Sequence, residues 1–182
     1  RKDRTREIIF QIYKRLSAAA QPLVKAVVFS LDTETLSPEQ LDDLRTASGH
    51  TIHFLPRRNF ECYLVDPKAI SEFINQRDLH AREVKLPEVT PEAVRSMLLT
   101  LSEERYAIQA WNGSLDDEDW LAKVDAAGLI KSCMLEMSDQ RVTFGKTVDS
   151  LALLKSLLKD QPRKLRPLAD YLELLVRSVQ TA

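Results

Sequence analysis

Two carboxylates, Asp32 and Glu34, close the stretch Lys-Ala-Val-Val-Phe-Ser-Leu-Asp-Thr-Glu at 25–34. Acids spaced i, i+2 lie on one side of an extended chain, because side chains alternate along a strand. The run before them, Ala26 to Phe29, is apolar without alternation, the pattern of a strand buried on both faces as in a parallel sheet. Open α/β sheets carry their chemistry beyond the carboxyl ends of such strands. Two carboxylates there, with no lysine between them, suit a hard divalent cation such as Mg2+. A plainer role is also open: Asp32 capping the next turn and Glu34 in solvent, since acids favour turns for local reasons.

Glu61 stands inside the otherwise apolar stretch Phe60 to Val65, just after Arg57 and Arg58. A buried carboxylate without a partner is costly, so an arginine, a metal or solvent must meet it. Pairing with Arg57 or Arg58 is one expectation. The other sets Glu61 beside Asp32 and Glu34 on a neighbouring parallel strand, where only a cation would relieve the repulsion of three carboxylates. Gly145-Lys146-Thr147 resembles the end of a phosphate-binding loop, but that loop needs a glycine five residues before its Gly-Lys pair, and Gln140 stands there. Lys146, between an expected short strand at 141–144 and a helix, is either a solvated lysine or a cation for a phosphate.

Other polar clusters have ordinary explanations. The run Asp116 to Asp119 follows Ser114 at a helix start, where acids complement the helix dipole. His50 and His53 straddle a strand without a third ligand nearby, and Trp111 and Trp120 read as packing residues. Lys155, Lys159, Arg163, Lys164 and Arg166 read as solvated helix faces, with phosphate contact as the alternative, as for Arg57 and Arg58.

The elements that position these residues follow from periodicity and caps. Asp3 to Ala20 has a helical apolar stripe, and Gln21-Pro22 ends it. After the strand at 25–31, Ser37-Pro38 with Gln40 forms a capping box opening a helix to about Ser48. Thr51 to Leu55 is a second strand, and Asp66-Pro67 opens a helix to about 77. This alternation predicts a βαβ-like unit of a parallel sheet, lacking its first strand. Residues 78–89 are a polar connection. Helices are then expected at 90–111, 114–137, 148–159 and 164–179. The division is an α/β unit at 1–85 and a mainly helical region at 86–182.

The chain has 182 residues, a net charge of −1, 44% hydrophobic and 29% charged residues, which fits a soluble protein with no global pull toward nucleic acid. Its two cysteines, Cys62 and Cys133, suggest neither a disulfide framework nor a metal site. A cytoplasmic setting is expected. No apolar run approaches the ~20 residues of a membrane span.

The strand ending in Asp-x-acid, then a strand followed by Leu-Pro-Arg-Arg-x-x-Glu-x-Tyr-Leu-x-Asp-Pro, resembles the Toprim domain, specifically that of the OLD-family nucleases and related ATPase-linked bacterial defence proteins. The resemblance covers residues 3–76. It implies a Toprim-like parallel sheet flanked by helices and metal-dependent cleavage of DNA phosphodiesters. Asp32 and Glu34 would occupy the Asp-x-Asp positions and bind Mg2+ or Mn2+. Glu61 would join or support that site, and Lys146 would match the lysine that such nucleases carry downstream. Asp3 would match the aspartate of the family's first acidic element, whose glutamate would lie upstream of Arg1, making the chain a fragment. Glu34 in place of aspartate and Cys62 in place of asparagine are departures. Expected partners are DNA, an N-terminal ATPase portion through which ATP would act, and a second copy of the chain. The alternative is a degenerate, non-catalytic Toprim module for docking or oligomerisation with a separate effector.

Overall fold

The structure is a computed structural model that describes residues 11, 15, 29–33, 36–48, 52–80, 87–109 and 111–180. The expected first helix, the strand before Phe29 and the connection at 81–86 lie largely outside these residues. The chain forms two compact units, one of Arg1–Leu55 with Ala169–Ala182, the other of Pro56–Leu168.

Unit 1 holds a small parallel sheet. Strand β1 (Phe29–Leu31) pairs with β2 (Ile52–Phe54) in the register Phe29↔Ile52, Ser30↔His53, Leu31↔Phe54. Helix α1 (Pro38–Ala47) makes the crossover between them. Its start is the expected capping box: Gln40 N–H donates to Ser37 Oγ, and the Ser37 N–H donates to Gln40 Oε1. Leu44, Ile52 and Phe54 form the buried core, with Leu31, Leu36 and Leu41 packed around it. At the far end of α1, Ser48 Oγ donates to the Arg45 carbonyl and accepts from Ile52 N–H, so the helix exit also sets the entry of β2. Tyr171 hydroxyl and Ser30 Oγ are hydrogen-bonded at 2.9 Å, tying the C-terminal segment to β1.

Unit 2 is helical. A 3-10 turn (Phe60–Tyr63) precedes α2 (Pro67–His80), α3 (Pro91–Glu104), the short α4 (Glu118–Leu121), α5 (Ala126–Met137) and α6 (Lys146–Asp160). A second 3-10 turn (Pro162–Leu165) leads into α7 (Arg166–Gln180), whose residues from Ala169 belong to unit 1. Helix α3 packs on α2 and α5, with Val94, Leu98 and Leu101 inside. Helix α2 runs antiparallel to α6, stitched by Lys68 to Asp160, Glu72 to Ser156 and Arg77 to Asp149. Among the described residues, no helix is long and apolar enough to cross a membrane.

Several expected elements differ. The apolar stretch at 60–65, to which the sequence assigned no element, opens as a 3-10 turn: Asn59 carbonyl accepts from Cys62 N–H and Asn59 Oδ1 from the Cys62 thiol. Residues 141–144 are irregular rather than a strand, because Ser138 Oγ takes the Val142 N–H that a ladder would need. The helix at 90–111 stops at Glu104, after which Tyr106 turns its hydroxyl to Ser132 Oγ. The helix at 114–137 is split in two, because Asp125 accepts from Gly128 N–H and caps a new start. A Cβ at Gly128 would lie 2.7 Å from Asp125 Oδ2, so that cap needs glycine there.

Leu98 is fully buried between α2, α3 and α5. Leu98→Ala should therefore cost about 2–5 kcal/mol of unfolding free energy in a urea titration. A cost under about 1 kcal/mol would mean that α3 is not packed as described.

Candidate functional site

The 3-10 turn places Glu61 against the N-terminal end of α6. Its side chain is 2% exposed. Oε1 accepts from Ser150 Oγ at 3.0 Å, and Lys146 Nζ lies 3.4 Å from Oε2. Lys146 and Ser150 are one helical turn apart on α6 and so share a face. The ammonium is half exposed while the carboxylate is enclosed. The result is a cation tethered at the surface by a buried anion. Next to it, Asp149 accepts from Gly145 N–H at 2.7 Å and pairs with Arg77 at 2.7 Å. The amide of the N-cap residue, Gly145, is thus engaged by an acid of the helix's own first turn.

Glu61 does not pair with Arg57 or Arg58, contrary to the first expectation. Arg57 is anchored elsewhere: Nη1 donates to the Cys62 carbonyl, Nη2 to both oxygens of Glu118, and the guanidinium lies 4.5 Å over the Tyr63 ring. Arg58 Nη1 donates to the Lys123 carbonyl. Both arginines are thus engaged by other partners. Nor does Glu61 end a parallel strand, so strand adjacency gives no reason to set it beside Asp32 and Glu34.

Asp32 follows the last residue of β1 in unit 1 and is partly buried. The turn after it is closed by Leu36 N–H donating to the Thr33 carbonyl. Glu34 and Asp3 lie outside the described residues. Glu61 and Lys146 belong to unit 2. Of the four residues expected to act catalytically, the structure brings two, Glu61 and Lys146, into contact. Among the described residues, no group of three or more His, Cys, Asp or Glu side chains is placed to hold a metal ion. With its oxygens facing Ser150 and Lys146, Glu61 is arranged as a counter-ion to Lys146.

A second buried carboxylate, Asp66, was legible only as a helix cap. It does accept from Ala69 N–H, but it also accepts from Gln161 Nε2 and Lys164 Nζ beyond the end of α6. Glu118, part of the acidic run at a helix start, additionally holds Arg57. Asp117 is the cap of α4, accepting from Asp119 and Trp120 N–H, so the run serves both helix and ion pair. Trp111 and Trp120 stack at 5.4 Å, as packing residues do.

Both thiols are enclosed. Burial pushes the Cys133 thiol up to about 12, and burial also raises Cys62, partly offset by nearby hydrogen bonds. Burial thus disfavours the thiolate form of both.

No family model, curated protein or solved structure matches the chain.

Two outcomes test this site. In a double-mutant cycle, Lys146→Met and Glu61→Gln should couple by about 1 kcal/mol or more in urea unfolding, and a coupling near zero would discount the ion pair. Iodoacetamide at about pH 8 should leave both cysteines unmodified in folded protein and alkylate both in urea, read by mass spectrometry. Rapid modification of the folded chain would contradict their enclosure.

Proposed function

We propose that this chain is the Toprim-like portion of an ATPase-linked defence nuclease that hydrolyses DNA phosphodiester bonds. The observation that carries the reading is the contact between Glu61 and Lys146, two residues the resemblance assigns to one site from distant parts of the chain. A half-exposed ammonium held by a buried carboxylate is suited to meet a phosphate oxygen without swinging away into solvent. Asp32, immediately beyond β1, has the place in a parallel α/β unit at which ligands gather.

In this reading Asp32, with Glu34, would hold Mg2+ or Mn2+, which when bound supplies an activated water and charge for the leaving oxygen. Glu61 keeps Lys146 in place, and Ser150 keeps Glu61 in place. Lys146 is thereby presented as a cation for a phosphate oxygen.

A non-catalytic docking module is the second reading, favoured by the apolar side chains that α6 leaves in solvent, Val148, Leu151 and Leu158.

Mn2+-dependent cleavage of supercoiled plasmid by the parent protein, with and without ATP, decides between them. Asp32→Ala should abolish cutting, and Lys146→Ala should slow it by about 10²-fold. Unimpaired cutting by Asp32→Ala would overturn the role of Asp32. A folded parent protein that cuts nothing would leave the docking module as the better reading.

A further inference from the structure

A cavity of about 150 Å3 in unit 2 is lined by Arg57, Tyr63, Asp116, Glu118, Arg163 and Lys164 over an apolar floor that includes Leu115 and Leu121. Pockets for drug-sized ligands measure about 300–1,000 Å3. This one has room for a single small charged group. Three of its lining side chains are cations and two are carboxylates.

Arg57 is organised in advance of any ligand. Its side chain is 8% exposed, Tyr63 lies under the guanidinium, and the Cys62 carbonyl fixes Nη1. Nε is buried and makes no hydrogen bond with a described residue. The remaining nitrogen, Nη2, meets Glu118, whose side chain is 68% exposed and stands on the four-residue helix α4. The cation is fixed and its counter-ion is in solvent. An exposed carboxylate on a surface ion pair contributes little net stability, so Glu118 is the exchangeable member. Lys164 reaches toward the same space, 2.8 Å from Asp66 and 3.8 Å from Asp116, and the exposed Arg163 completes the rim.

We propose that this cavity binds a phosphate group, and that Glu118 occupies the anion position until the phosphate displaces it. Convergence of two arginines and a lysine favours phosphate over a single-charged anion, because a guanidinium and an ammonium together match its several charged oxygens. The group could belong to a small phosphate monoester or to a nucleic-acid backbone. The proposal does not depend on the nuclease reading, since it concerns binding and none of the residues expected to act in catalysis.

The test is calorimetric titration of inorganic phosphate into the full chain at fixed ionic strength, with Glu118→Gln and Arg163→Gln alongside. Both substituted positions are exposed, so folding should be retained, and circular dichroism checks it. Glu118→Gln should bind phosphate about tenfold more tightly than the unmodified chain, and Arg163→Gln several-fold more weakly. A short oligonucleotide without terminal phosphates, titrated in parallel, identifies the source. Binding strengthened by Glu118→Gln points to the nucleic-acid backbone, and phosphate binding without it points to a monoester. Absence of phosphate binding in both the unmodified chain and Glu118→Gln at about 10 mM would overturn the proposal. So would an affinity that neither substitution alters.

Discussion

Two carboxylates without access to water, Glu61 and Asp66, organise the described part of unit 2. A buried charge must be met by opposite charge and by hydrogen-bond donors, or it destabilises the fold by several kcal/mol. Partners for both come from α6 and its exit, beside the Ala69 amide that also bonds Asp66. Ser150 and Lys146, near its start, meet Glu61, while Gln161 and Lys164, just past its end, meet Asp66. A segment of chain only a few residues long is therefore clamped to both ends of a fifteen-residue helix.

The antiparallel packing of α2 and α6 follows from the same clamp. Asp66 caps α2, so fixing Asp66 at the exit of α6 places the first turn of α2 beside the last turn of α6. The polar pairs from Lys68–Asp160 to Arg77–Asp149 then fall into step along the two helices. The exposed pairs in that row add little by themselves. Register is set instead by Ala69, Ile70, Phe73 and Ile74 on α2 and by Leu153 and Leu157 on α6, all buried.

The functional reading and the anion cavity draw on one structural habit. In each case a charged side chain is held by a partner that differs sharply in exposure. Lys146 reaches solvent from a buried Glu61, and a buried Arg57 is covered by an exposed Glu118. The buried member keeps its position in both pairs, so Lys146 is presented to solvent on a fixed anchor, whereas Glu118 is the member that a ligand can replace. Such pairs add less to stability than apolar packing of the same volume would. They suit sites where charge must be presented.

Local signals along the chain determined the helix starts and the parallel sheet of unit 1. Ser37, Asp66 and Thr90 are caps because a short side-chain oxygen reaches nearby amides whatever the rest of the chain does. The sequence separated by one helix two apolar runs that pair in parallel, since a crossover of that length admits little else. Glu61 was legible as a carboxylate in need of a partner, but not which partner. Arg57 and Arg58 are near in sequence, yet both are engaged by other partners. Only the packing of α6 supplied Lys146 and Ser150. The break at Glu104 was hidden for a similar reason, because Tyr106 acts through Ser132, far along the chain, whereas the cap at Asp125 is a local signal overlooked within a continuous apolar periodicity. Periodicity and caps depend on neighbours within a turn or two, so a sequence displays them. The partner of a buried charge depends on which distant surface the chain brings to it, and that is decided when the helices pack.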